Sequence, residues 1–313
     1  MRKFIISDIH GVGNFYYPVM GYLDNISKNE EIELYINGDL TDRGLESGYV
    51  LLDLINRIKE NKYKIVYLGG NHELLMYDYY NLEKDGKVDY YNDWYDNGGF
   101  ITDDQLGEIF NYDENKIYEI MDKIGELEIY HKFEEKMNGK NIVLVHAGCP
   151  LKVEDKCNLK IKNKDKVFSY LWARKNGPFM PFRCRIGNKD YFSIVGHSPN
   201  NSELGFEYHE DENYLNIDGG CSKYAAGYFD EDHFPLVEVK NEELRILTFN
   251  SKNEITHGNY FKDNKVIPFT KKELKESREY LNKDIKTKKL MFILDGVIGY
   301  EEWLEEERVL RKK

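Results

Sequence analysis

The chain has 313 residues, 41% of them hydrophobic, and a formal net charge of −12. That length and apolar content suffice for one large domain or two ordinary ones. The acidic balance argues against a broad nucleic-acid surface, which needs a positive stripe. No stretch approaches the ~18 apolar residues of a membrane span, and the apolar run after Arg2-Lys3 is too short for a signal peptide.

The four cysteines lack C-x-x-C spacing and read as reduced thiols, so a soluble cytoplasmic protein is expected. In chain order, β-branched apolar runs near 2–6, 32–37 and 64–68 predict strands. Leu51, Leu54, Ile55 and Ile58 recur at helical spacing between the second and third. Strand, loop, helix and strand in this order describe βαβ units with parallel strands. Residues of about 74–140 read as a helical insert, with Ile117, Ile120, Met121, Ile124 and Leu127 on one helical face and turns at Lys84-Asp85-Gly86-Lys87 and Asn97-Gly98-Gly99. Its tyrosines, Tyr77, Tyr79, Tyr80, Tyr90, Tyr91 and Tyr95, suit either a substrate rim or the packing of that insert.

Further strands are predicted near 142–146, 191–196, 213–217 and 244–249, the later ones more antiparallel. After about 250 the composition turns to Lys and Glu. Thr270-x-x-Glu273 predicts a capping box opening a helix to about 285, Leu290 to Leu294 must dock on something, and Glu301 to Lys313 reads as a last charged helix. The expected class is therefore α/β with mixed sheets. Its domains would be a catalytic region over 1–250 and a helical C-terminal extension over 251–313 packed on it. The short basic runs at Lys160 to Lys166 and Lys286 to Lys289 read as solvated faces.

Five motifs stand just after predicted strands: Asp8-Ile9-His10, Gly38-Asp39-Leu40-Thr41-Asp42-Arg43-Gly44, Gly70-Asn71-His72-Glu73, His146-Ala147-Gly148 and Gly196-His197. Strand ends are where open α/β sheets gather their sites. A single Asp or His in such a place is usually a cap or a satisfied core group, but five motifs in this order point to a dinuclear phosphoester site. Two metals can ionise a shared water near neutral pH and clamp phosphoryl oxygens. Asp39 suits the bridge because a carboxylate serves two ions. Asp8 and His10, two apart, can face one ion, while Asn71, His146 and His197 complete the other. The mixture of imidazole, carboxylate and amide oxygen favours Mn²⁺, with Fe²⁺ or Zn²⁺ as alternatives. Arg43 offers a fork for two phosphate oxygens. His72 suits protonation of the leaving oxygen with Asp42 as its partner, and Glu73 reads as structural. His131, His209, His233 and His257 lie outside the motifs and receive no role.

These motifs resemble the signature of the PPP-type serine/threonine phosphatases within the calcineurin-like metallophosphoesterases, over about residues 1–250. The resemblance implies a β-sandwich flanked by helices with a helical cap, a pair of divalent ions bridged by Asp39, a His72–Asp42 proton donor pair and Arg43 on phosphate. Trp172-Ala173-Arg174 is similar to an element of the bacterial and phage branch, which makes Arg174 a second phosphate ligand. Trp94-x-x-Asn97-Gly98-Gly99-x-x-Thr102 resembles a further pattern of that branch, shared with diadenosine tetraphosphatases. Ile217-Asp218-Gly219-Gly220-Cys221 resembles the segment after the last metal histidine, where Asp218 would support the site without ligating. Ser7 stands where the family usually has Gly, which implies a differently shaped first turn. The implied activity is that of a serine/threonine protein phosphatase, the alternative a symmetrical bis(5′-nucleosyl)-tetraphosphatase. The partner would be a phosphorylated protein or a small phosphoester.

Overall fold

A computed structural model describes residues 1–84, 93–150, 157–160, 164–174, 186–227 and 233–281. The chain opens with β1 (Arg2–Ile6), α1 (Gly13–Ile26), β2 (Ile32–Asn37), α2 (Ser47–Glu60) and β3 (Lys64–Leu68), and the three strands run parallel. Period-2 alternation sorts their side chains to two faces: Phe4, Ile6, Leu34 and Ile36 enter the larger core beneath the helices, while Ile5 and Tyr35 point the other way. Helix α2 buries Val50, Leu51 and Leu54 and stops at Asn61, whose left-handed φ of 51° lets its N–H close on the Arg57 carbonyl.

Among the described residues four helices follow: α3 (Asn71–Lys84), α4 (Asp93–Asp96), α5 (Gly99–Ile109) and α6 (Glu114–Gly125). The predicted insert is thus helical to Gly125, not to 140, because β4 (Tyr130–Met137) begins five residues later. Next come β5 (Lys140–Val145), α7 (Lys164–Trp172), β6 (Phe192–Val195), β7 (Glu207–His209), β8 (Tyr214–Asn216), α8 (Cys221–Ala225), β9 (Phe234–Lys240), β10 (Glu243–Phe249), β11 (Ile255–Lys262), β12 (Lys265–Pro268) and α9 (Lys271–Arg278).

Two sheets result. One has seven strands in the order β12-β11-β10-β9-β1-β2-β3, and the other has five in the order β4-β5-β6-β8-β7. Both are mixed: β5, β6 and β8 are parallel, while β9 to β12 run antiparallel as a meander. A second core of Ile5, Tyr35, Leu144, Ile194, Leu215, Val237 and Ile246 draws on both sheets. Among the described residues this is the mixed α/β sandwich that was expected.

The tail differs from expectation. Residues after 250 continue the first sheet through β11 and β12 before α9 begins, so that stretch is not a purely helical extension. The Thr270–Glu273 capping box is present. Helix α9 is tied back by Arg245, which donates to Ser277 Oγ at 2.8 Å, and by Arg278 on the Ile255 carbonyl. Tyr90, Tyr91, Cys184, residues 85–87, 161–163 and 286–289, and the predicted elements at 290–294 and 301–313 lie outside the described residues. No described helix is long and apolar enough to cross a membrane.

Candidate metal centre and its acid

The motif residues converge at the carboxyl ends of the parallel strands. Asp8 and His10 follow β1, Asp39 follows β2, Asn71 opens α3 after β3, His146 follows β5 and His197 follows β6. All six are buried. The turns that aim them are unusual: Asp8, His10, Asp39, Asp42, Arg43 and His197 have φ between 48° and 72°, a left-handed region that residues with a Cβ seldom enter and that collects at functional sites. At Gly38, with φ 76°, a Cβ would stand 2.5 Å from Gly70 Cα, so the strand-end loops of β2 and β3 touch backbone to backbone.

Asp39 is the hub. Its Oδ2 lies 3.3 Å from His146 Nε2, 3.5 Å from His10 Nε2 and 4.0 Å from His72 Nε2. Its Oδ1 accepts the His72 backbone N–H at 3.1 Å, at the positive end of α3. Two buried groups, His10–Asp39–His72 and Asp39–His146–His197, each gather their ligand atoms within 4.8 Å of one another, and Asp39 belongs to both. Asn71 Oδ1 joins the second, 3.0 Å from His146 Nε2 and 2.8 Å from His197 Nδ1.

The hydrogen bonds fit this set to cations. His10 Nδ1 lies 3.2 Å from the Thr41 carbonyl and His146 Nδ1 2.9 Å from the Asn37 carbonyl. A carbonyl only accepts, so each Nδ1 carries hydrogen and each ring is left with Nε2 facing Asp39 Oδ2, the His10 nitrogen also lying 3.0 Å from the Arg43 guanidinium. Tying the far ring nitrogen to a backbone carbonyl is how metal-binding histidines are oriented. Among the described residues, His72 Nε2 and His197 Nε2 are buried without a hydrogen-bond partner, a costly arrangement for a polar atom with nothing to bind. Burial opposes a charged His146, yet the Asp39 charge and hydrogen bond and the Asp8 charge push it up to about 10. The convergent acceptors therefore draw positive charge inward. Burial opposes ionisation of Asp39 as well, but His146, His72 and His10 hold it well below the usual carboxylate range.

Asp8 is buried but lies outside both groups. One of its oxygens accepts the His197 N–H at 2.8 Å and the other accepts from Ser7 Oγ. Ser7, the residue in the unusual position, thus braces a carboxylate and also reaches Asn37 O at 3.3 Å. Burial and the charge of Asp218 push Asp8 up. Asp218 itself accepts the Gly220 N–H at 2.9 Å, and burial, with the Asp39 charge, pushes it up to about 6.

Asp42 and His72 form the expected pair: Oδ2 and Nδ1 are 2.6 Å apart and neither side chain reaches solvent. Arg43 is half-buried with its guanidinium 3.0 Å from His10 Nε2. Arg174 is exposed, and its charge joins burial and His146 in holding His197 well below the usual imidazole range. Glu73 is the strongest structural anchor. Its carboxylate accepts from Asp39 N (2.8 Å), Leu40 N (2.9 Å), Gly70 N (2.7 Å) and Tyr67 Oη (2.6 Å), locking the β2 and β3 loops together. Trp94 and Thr102 also reach the centre: Trp94 Nε1 donates to Asp42 Oδ2 at 2.8 Å and Thr102 Oγ1 to Asp42 Oδ1 at 2.5 Å. Their motif was visible in the sequence, but nothing there assigned them a partner.

A two-sheet α/β sandwich with a buried His/Asp cluster at its strand ends defines a phosphoesterase-type centre. The family model described as calcineurin-like phosphoesterase matches residues 1–224, and the chain belongs to that family. It is accordingly a phosphoester hydrolase, and its His/Asp groups could hold the divalent metals typical of the family. Among solved structures it is similar to a point mutant of a cold-active protein tyrosine phosphatase, at 16% identity over 80% of this chain and 78% of that one, with a TM-score of 0.48. It is also similar to a protein serine/threonine phosphatase from Saccharomyces cerevisiae (15% identity, 76% and 72% covered, TM-score 0.47) and to a putative diadenosine tetraphosphatase (13%, 80% and 93%, 0.43). No curated protein sequence matches the chain.

Proposed function

We propose that the protein is a serine/threonine protein phosphatase of the cytoplasm, hydrolysing phosphomonoesters by direct attack of water with no phosphoenzyme, with no broad nucleic-acid surface and no membrane partner. Asp8, His10, Asp39, Asn71, His146 and His197 would hold two divalent ions, manganese first and iron or zinc as alternatives, whose chemistry is Lewis acidity toward a water molecule and the phosphoryl oxygens. Arg43 grips two phosphoryl oxygens through its fork, and Arg174 adds a charge from the exposed side. His72 gives a proton from Nε2 to the departing oxygen, while Asp42 fixes the ring through Nδ1.

One observation carries this reading. The Asp42–His72 pair is fully buried, at 2.6 Å, beside Asp39. A serine alkoxide is a poor leaving group that needs a proton as it departs, whereas a nucleotide phosphate leaves readily as an anion, so a dedicated acid supports a phosphoserine substrate. The alternative activity, that of a symmetrical bis(5′-nucleosyl)-tetraphosphatase, shares the ligands and arginines. Incubating the manganese-loaded protein separately with a phosphoserine peptide and with diadenosine tetraphosphate decides between them. Release of phosphate from the peptide is expected; inactivity toward the peptide together with production of ADP would overturn the proposal in favour of the alternative.

A further inference from the structure

We propose that Trp94 and Thr102, both from the helical insert, are positioning residues for the proton donor; this rests on His72 being that donor. Asp42 is a carboxylate with no solvent contact, so each of its oxygens needs donors supplied by the protein. His72 Nδ1 provides one, and Trp94 Nε1 and Thr102 Oγ1 provide two more. Trp94 shares Oδ2 with the imidazole, whereas Thr102 holds Oδ1 and its hydroxyl oxygen also accepts the Asp42 backbone N–H at 3.2 Å. The carboxylate is thereby fixed at both oxygens and at its own backbone. Its plane cannot turn without breaking a bond to the insert, and its plane sets where His72 Nε2 faces.

The rest of the insert holds those two donors still. The Trp94 ring packs against Tyr79, Tyr80 and Tyr95, with centroids 5.1 to 5.8 Å away, and the hydroxyls of Tyr80 and Tyr95 both bind Asp103. Gly98, at φ 90°, accepts the Arg43 N–H on its carbonyl at 3.2 Å, and a Cβ there would stand 2.9 Å from Arg43 Cγ. The turn between the two positioning residues therefore sits on the residue that follows Asp42. Packing alone would require Trp94 to find some acceptor; two separate insert side chains choosing the same carboxylate, the one that orients His72, is what assigns them to the acid.

The test compares substrates that differ in their need for a proton. p-Nitrophenolate departs unaided, while the alkoxide of phosphoserine does not. In the full chain loaded with manganese, Thr102→Val and Trp94→Phe are expected to lower kcat for phosphoserine at least about tenfold and kcat for p-nitrophenyl phosphate less than about twofold, with KM unchanged. Bound manganese per chain, measured by elemental analysis, is expected to equal that of the parent. Thr102→Ser, which restores the hydroxyl, should recover the phosphoserine rate. Thr102→Val is nearly isosteric and keeps the test valid if Trp94→Phe fails to fold. His72→Asn is the reference. If it discriminates between the substrates while Thr102→Val and Trp94→Phe do not, positioning by the insert is overturned alone. If His72→Asn shows no discrimination, the donor assignment falls and the positioning role falls with it.

Discussion

Asp39 Oδ2 stands 3.3 Å from His146 Nε2, and the opposite nitrogen of that ring is fixed 2.9 Å from the Asn37 carbonyl. Without a metal the Asp39 charge holds a proton on this ring; a divalent cation would displace that proton and take up the freed Nε2 lone pair together with the carboxylate. Asp39→Asn halves the charge logic of both groups at once. It is expected to lower kcat by about three orders of magnitude and to abolish the thermal stabilisation that manganese gives the parent, about 2.7 kcal/mol at a hundredfold excess over Kd. Chelation of the parent should reproduce both losses reversibly. A fully active Asp39→Asn protein with an unchanged metal content would refute the assignment.

Glu73 behaves differently. Four donors from three loop residues and Tyr67 fill its carboxylate, and none of its oxygens is left for a substrate. Glu73→Gln places an amide NH₂ against backbone N–H groups, which forfeits at least one charge-assisted bond and buries a clash of donors, for about 2–4 kcal/mol of stability. Urea denaturation should register that loss, while the residual folded fraction retains metal binding. A variant as stable as the parent would show that the carboxylate is not the clasp between the β2 and β3 loops.

The contrast between these residues explains what could be read from the chain. Asp39 and His146 follow apolar, β-branched runs, and β1, β2 and β3 lie at the predicted positions because strands buried on both faces show their hydrophobicity directly. Strand β9 is hidden because Glu238 and Pro235 interrupt its apolar run; the glutamate is buried between Arg2, which pairs with it at 2.8 Å from one neighbouring strand, and Arg245, 3.8 Å away on the other. Edge strands β4 and β12 are hidden for the opposite reason, as their exposed positions carry charge or face solvent. The ligand types in the site were legible from motif order. The hydrogen bonds from Trp94 and Thr102 to Asp42 were not, because they span 52 and 60 residues and depend on how the insert folds back.

Arg43 tests phosphate recognition apart from the metal groups. Its backbone is held by Gly98 and its guanidinium already points to His10 Nε2 at 3.0 Å. Arg43→Ala removes two charge-assisted bonds to a bound phosphoryl group, and kcat/KM is expected to fall about 10²-fold or more. Arg43→Lys restores the charge without the fork, so only a minor part of the loss should return. Arg174→Ala, on an exposed side chain, should cost less because water screens it. Inhibition by inorganic phosphate gives the same order without turnover; equal affinity in all four proteins would remove Arg43 from the phosphate site.

His131 supplies a pH test away from the centre. Its ring packs on Tyr35 and Phe133 at 4.7 and 4.8 Å, and burial, together with the charges of Lys64 and Lys3, lowers it to about 4 from an ordinary 6.5. The folded state therefore prefers the neutral ring. A depressed folded value means that this preference stabilises the fold above pH 6.5 and is lost progressively as pH falls from 6.5 toward 4, where the unfolded chain binds the proton first. His131→Phe keeps the aromatic contacts and removes the titration. Thermal melts at pH 7.5 and pH 4.5 should show the parent losing more Tm than the variant over that interval. Parallel losses in the two proteins would mean that the ring between the sheets accepts its proton in the folded state as easily as in water.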